Sequence, residues 1–154
     1  MTNPHRLVTA VLTLVVVLVT APVAAGSVTP IGGIYAEPPS CQGVTAGGKA
    51  LQGNTDNDTI TGTAAVDVLR GGGGSDTVNG RGRDDCLAGQ AGDDNLKGGK
   101  GDDLLKGGSG NDTLTGGPGS DILNCGGGNH DVAIAGRTDT VSSSCEVVHS
   151  STKR

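Results

Sequence analysis

From Ile60 to Leu123 an aliphatic side chain recurs at every ninth position: Ile60, Leu69, Val78, Leu87, Leu96, Leu105, Leu114 and Leu123. Two residues before each stands an aspartate, Asp58, Asp67, Asp76, Asp85, Asp94, Asp103, Asp112 or Asp121, and seven before each stands a glycine. A single amphipathic helix spaces its apolar residues three and four apart, and a half-buried strand spaces them two apart. A spacing of nine fits neither, so each nonapeptide supplies one short strand and one turn. Numbering each unit from its glycine, positions 7–9 predict a three-residue strand whose middle side chain faces one way and whose neighbours face the other. Positions 1–6, rich in glycine, predict the turn that reverses the chain. Two units make one coil of eighteen residues. The expected architecture is all-β, with two short parallel sheets facing each other and odd and even units on opposite sides.

The eight units are GNTDNDTIT, GTAAVDVLR, GGGGSDTVN, GRGRDDCLA, GQAGDDNLK, GGKGDDLLK, GGSGNDTLT and GGPGSDILN, spanning 53–124. Five of them keep glycine at position 4; Asp56, Ala65 and Arg83 replace it in the first, second and fourth. This pattern resembles the repeats-in-toxin (RTX, hemolysin-type) family, whose consensus is GGxGxDxUx. The resemblance implies a right-handed parallel β-roll with Ca²⁺ between turns, held by loop carbonyls and by the position-6 carboxylates of two successive coils. The metal-site residues it implies are Asp58, Asp76, Asp85, Asp94, Asp103, Asp112 and Asp121, with Gly71, Gly74, Gly89, Gly92, Gly98, Gly101, Gly107, Gly110, Gly116 and Gly119 in the loops. Loop 62–67 is the poorest by this pattern, and the site between 80–85 and 98–103 is weakened by Arg83.

The chemistry agrees with that implication. Strands in a sheet lie ~4.8 Å apart and calcium–oxygen bonds run ~2.4 Å, so an ion midway between coils reaches both. Aspartates eighteen apart line up in two columns, joined by the further acids Asp84, Asp93 and Asp102. Hard oxygen ligands suit Ca²⁺ better than zinc or copper. Without the ion, like charges stand one strand spacing apart with little core to oppose them, so metal-free repeats are expected to be largely unfolded.

Composition sharpens the picture. The chain has 154 residues with 29 glycines, one tyrosine and no phenylalanine or tryptophan, and its net charge is −5. An aromatic core is excluded, and so is a nucleic-acid surface of basic residues with stacking aromatics. No H-E-x-x-H, G-x-S-x-G or phosphate-loop motif occurs, and His130 and His149 have no helical partner spacing. The expectation is a chain with no catalytic residues. An EF-hand beginning at Asp56 fails, because Ile60 and Gly62 break its ligand pattern.

Residues 1–25 read as an export signal: Arg6, an apolar run from Leu7 to Val19, and small residues ending at Ala25. About 13 apolar residues fall short of the ~20 a membrane-spanning helix needs. The expected order is a signal at 1–25, a linker or cap at 26–52, the eight-unit roll at 53–124, a C-terminal cap at 125–149 and a tail at 150–154, in a secreted protein. In the cap, Cys125 to Asp131 looks like a ninth loop with one extra residue, which makes Asp131 a candidate for a last ion.

Position 7 alternates. Odd units carry Thr59, Thr77, Asn95 and Thr113; even units carry Val68, Cys86, Leu104 and Ile122. One outer face is therefore expected to be polar and Thr-rich, the setting for an adhesive, ice-binding or glycan-binding alternative that Lys97 interrupts. The other is an apolar stripe that something should cover: the flanks, with Ile31, Ile34 and Tyr35 before the repeats and Val141, Val147 and Val148 after them, or alternatively a partner or a second copy of the chain. Cys86 and Cys125 would lie two layers, about 10 Å, apart, beyond the ~7 Å a disulfide allows between Cα atoms. Cys125 and Cys145 bracket the C-terminal segment, which leaves Cys41 for Cys86.

Overall fold

A computed structural model describes residues 29–30 and 47–150. Within them every second nonapeptide returns to the same sheet. The strands are β1 (Thr29–Pro30), β2 (Ala50–Gln52), β3 (Thr59–Thr61), β4 (Val68–Gly73), β5 (Thr77–Gly82), β6 (Cys86–Ala91) and β7 (Asn95–Lys100). They continue as β8 (Leu104–Ser109), β9 (Thr113–Thr115), β10 (Ile122–Gly127), β11 (Val132–Ala135), β12 (Thr140–Val141) and β13 (Val147–Ser150). One sheet runs β1-β2-β4-β6-β8-β10-β12, the other β13-β11-β9-β7-β5-β3. Every pairing is parallel except β1 with β2, which is antiparallel. This is the two-sheet β-roll the periodicity predicts.

Register follows the eighteen-residue coil. Leu69 pairs with Leu87, Leu87 with Leu105 and Leu105 with Leu123 in one sheet. Ile60 pairs with Val78, Val78 with Leu96 and Leu96 with Leu114 in the other. Each of these position-8 side chains is fully buried, and together with Ala133, Ala135 and Cys125 they form a core one residue deep per strand. A buried aliphatic of this size contributes about 1.5–3 kcal/mol. With one such residue in nine, other contacts must help hold the coils in place.

Three details differ from the reading above. The strands of the central coils are six residues long rather than three, because backbone pairing runs on through positions 1–3 of the next unit, as in Gly72 with Gln90 and Gly73 with Ala91. Stacked glycine backbones bring no side chains into conflict, so the ladder does not stop where the aliphatic pattern does. The coil also starts before Gly53: Leu51 of β2 pairs with Leu69 and packs against the core.

The third difference concerns the C-terminal valines. Val141 pairs with Leu123 and packs against the core, while Val147 and Val148 pair with Val132 and Ala133. They extend the two sheets instead of folding back over the even face, since parallel edges with unpaired N–H and C=O groups favour a further strand. On that face Val68 is buried, Cys86 and Leu104 are half-buried and Ile122 is exposed. Ile31, Ile34 and Tyr35 lie outside the described residues.

Candidate metal ladder

The aspartates at position 6 are buried. Asp58, Asp67, Asp76, Asp85, Asp94, Asp103, Asp112 and Asp121 are each at most 3 % exposed. Asp58 accepts from the Asn54 N–H of its own loop (2.8 Å), and what holds the other seven is the backbone of the preceding coil. The N–H of Asp58 donates to Oδ1 of Asp76 (2.8 Å), that of Asp76 to Asp94 (2.8 Å) and that of Asp94 to Asp112 (2.9 Å). On the other edge Asp67 donates to Asp85 (2.8 Å), Asp85 to Asp103 (2.8 Å) and Asp103 to Asp121 (2.9 Å). One carboxylate oxygen per turn thus ties the coils together.

The second oxygen does not. Oδ2 of Asp76, Asp85, Asp94, Asp103, Asp112 and Asp121 is buried with no hydrogen-bond partner, and Asp58 has an orphaned Oδ1. An unpaired buried acceptor costs about 1–3 kcal/mol, more when charged, so a regular series of them points to a missing electropositive partner. The pKa values respond to the same burial. Desolvation pushes Asp85 up to about 7; the Asp67 N–H pulls it part-way back, and the charges of Asp67 and Asp84 add to the rise. Burial likewise pushes Asp103 to about 7 and Asp94 to about 6, and raises Asp76, Asp112 and Asp121.

Position 1 explains its own glycine. A Cβ on Gly71, Gly89, Gly98, Gly107 or Gly116 would drive into Oδ2 of the aspartate five residues on. On Gly71 it would also come within 2.7 Å of the carbonyl oxygen of Gly89 in the next coil. The bare Cα therefore leaves a cradle lined by a carboxylate and a main-chain carbonyl. Among the described residues no three His, Cys, Asp or Glu side chains converge. A cation here must draw its remaining ligands from loop carbonyls, the hard-oxygen set that suits calcium. The residues fit that ion.

From the third unit on, position 4 is left-handed backbone, which Gly74, Gly92, Gly101, Gly110 and Gly119 supply with φ of 95°, 119°, 125°, 119° and 154°; Asp56 and Ala65, in the first two units, do not adopt it. Arg83 takes the same region at φ 73°. Its carbonyl lies against Gly101 as the carbonyl of Gly92 lies against Gly110. The fourth loop is thus built like its neighbours despite the substitution, with Oδ2 of Asp85 still unpaired.

A family model for the RTX calcium-binding nonapeptide repeat, in four copies, matches residues 52–85, 88–123 and 98–133, just over half of the chain. The chain belongs to this family. No curated protein and no solved structure matches it.

Within the RTX roll the two columns end differently. Asp67, the first on the even edge, has both oxygens occupied: Oδ2 by the Thr63 N–H (2.6 Å) and hydroxyl (3.1 Å), Oδ1 by the Lys49 N–H. The last on that edge is Asp139, which accepts from Asp121 N–H (3.1 Å) and Gly136 N–H (2.6 Å). On the odd edge Asp131 accepts from Asp112 N–H (2.8 Å), and Glu146 accepts from Asp131 N–H (2.6 Å). Sequence reading missed Asp139 and Glu146. Asp139 stands eighteen residues after Asp121, so the spacing carried a signal; Glu146 keeps no such spacing.

A second RTX ladder lies outside the first, at position 5, and runs the other way. Here the later coil donates: Ser75 N–H to Asn57, Asp102 to Asp84, Asn111 to Asp93, Ser120 to Asp102 and Asn129 to Asn111, at 2.7–3.2 Å. The acids Asp84, Asp93 and Asp102 are exposed and act as coil-to-coil acceptors. Cys125 and Cys145 form a disulfide with Cα atoms 5.2 Å apart. Cys86 is also disulfide-bonded; Cys41 lies outside the described residues.

Proposed function

We propose that this RTX roll is an extracellular calcium-binding module with no catalytic role, whose folding is coupled to Ca²⁺. The ligands in this reading are Asp58, Asp76, Asp85, Asp94, Asp103, Asp112 and Asp121, with main-chain carbonyls of the glycine-bearing loops between successive coils. The observation that carries it is the row of buried, unpartnered carboxylate oxygens. A divalent cation at each converts a desolvation cost into a bond and offsets the repulsion between carboxylates one coil apart. External modules typically bind Ca²⁺ at ~10⁻⁴–10⁻³ M, which suits an ion taken up after export. The export signal at 1–25, with cleavage near Ala25, and a Cys41–Cys86 bridge laying the N-terminal flank on the even face belong to the same proposal.

The Thr-rich outer face supports an adhesive, ice-binding or glycan-binding role less well. Thr59 and Thr77 are exposed there, but exposed Asn95 and Lys97 interrupt the row. The decisive experiment is circular dichroism of the purified mature chain with and without a calcium chelator, paired with calorimetric titration. Calcium-dependent gain of β structure with measurable binding is expected. The same β-rich spectrum in both buffers and no binding heat would reject the reading.

A further inference from the structure

The two ends of the core are finished differently. At the N-terminal end β1 crosses β2 antiparallel, and Ile60, the first aliphatic of the odd sheet, is 1 % exposed. At the C-terminal end β13 is the last strand of that sheet, and among the described residues nothing pairs with its outer edge. Val148 stands in the core column there, since its register partner is the fully buried Ala133, yet it is 53 % exposed. The edge is also held in place. The Cys125–Cys145 disulfide and Oε2 of Glu146, which accepts the Asp131 N–H at 2.6 Å, fix the chain just before the strand begins. Open edges are ordinarily protected by lysine, proline or a bulge. Val147–Ser150 contains no lysine or proline and pairs regularly with β11 along its whole length.

We propose that β13 is a dimerisation edge, pairing antiparallel with β13 of a second copy of this chain across a twofold axis perpendicular to the sheet. Such an axis keeps inward side chains inward, so the two open core ends meet and each Val148 is covered by the other copy. Charge favours this direction. Glu146 precedes the strand and Lys153 and Arg154 follow it in the sequence, so antiparallel pairing sets the acidic end of one copy against the basic end of the other. Head-to-tail stacking is disfavoured, because β1 and the buried Ile60 close the N-terminal end. An isologous contact uses up both edges and stops at two copies. Four residues a side make a small interface, so the dimer is expected to be weak and concentration-dependent. The contact does not depend on which ion fills the roll.

The test is sedimentation velocity of the mature chain in calcium buffer, for the unaltered protein, Val148→Asp, Ile122→Asp and the double variant Lys153→Glu/Arg154→Glu. The unaltered chain is expected to pass from monomer to dimer as its concentration rises toward about 1 mM. Val148→Asp should weaken the dimer by about tenfold or more, because a buried contact becomes a buried charge. The double reversal should weaken it at low salt only. Ile122→Asp, on the even face, should leave it unchanged. A monomer throughout, oligomers that grow beyond two, a double reversal without effect at low salt, or a dimer lost in Ile122→Asp but kept in Val148→Asp overturns the proposal. Should Val148→Asp not fold, hydrogen exchange of the unaltered chain decides. The amides of Val147–Ser150 are expected to exchange more slowly in concentrated than in dilute solution, and rates independent of concentration overturn the assignment.

Discussion

Oδ1 of Asp94 accepts the amide hydrogen of Asp76, eighteen residues earlier, at 2.8 Å, while Oδ2 of the same carboxylate faces no donor. The two oxygens of one side chain thus differ: one stitches coil to coil, and the other is buried without a hydrogen-bond partner. Removing the charge should separate the two. Asp94→Asn is expected to lose one bound Ca²⁺ and to weaken overall affinity, yet to make the metal-free roll more stable because a buried unpaired charge has gone. Asp67→Asn, where both oxygens already have donors, should keep the ion count and cost about 1 kcal/mol of stability. Calorimetry and urea unfolding on both variants check this.

The raised carboxyl pKa values fix the sign of the pH response. Asp85 and Asp103 titrate near 7 and Asp94 near 6 in the folded chain, against 3.8 for an ordinary aspartate. The folded state then holds protons that the unfolded state releases, so stability is fullest below about pH 4 and drains as pH rises through 6 to 7. Metal-free protein should therefore gain thermal stability and β signal on acidification from pH 7.5 to 4.5. Calcium competes with those protons, and its apparent affinity should rise with pH across the same window. Metal-free stability that falls on acidification would contradict the burial argument.

Gly89→Ala tests the cradle. Its methyl would collide with Oδ2 of Asp94 and come within 2.7 Å of the carbonyl oxygen of Gly107. A loss of about 1–3 kcal/mol is expected, as for other overpacked sites, together with weaker Ca²⁺ binding. Gly82→Ala is the control, since its nearest neighbour would be the Lys100 carbonyl at 3.8 Å. Thermal melts with and without Ca²⁺ separate the two.

Arg83 holds a left-handed backbone that costs a side-chain-bearing residue about 1–2 kcal/mol. Arg83→Gly should recover part of that and raise the melting temperature, whereas Arg83→Ala, which keeps a Cβ, should not. Equal melting temperatures for the two variants would show that the loop is not strained there.

The roll was legible from Leu96 and Asp94 because two constraints repeat in phase: one aliphatic must fill each layer of a one-residue-deep core, and one acid must meet each coil above it. Where only one constraint operates, the signal fades. Leu51 opens the parallel run of its sheet nine residues before Ile60, but Met1–Gln52 contains no nonapeptide glycine and aspartate in phase with it. Asp139 sits at the right distance from Asp121 only because the extra residue before Asp131 is cancelled by a shortened loop after it. Glu146 does an aspartate's work with a longer side chain at a shorter spacing, fifteen residues from Asp131. Arg83 reads as a fault in the sequence, yet its backbone follows the glycines.

His130 stands between two opposed lacings, the outer one ending at Asn129 and the inner one resuming at Asp131. His130 is exposed, and the hydrogen bonds on either side of it keep to their seams. The molecule thereby marks its own grafting point: a foreign peptide spliced between Asn129 and Asp131 would be displayed on the rim while the coils beneath stay joined.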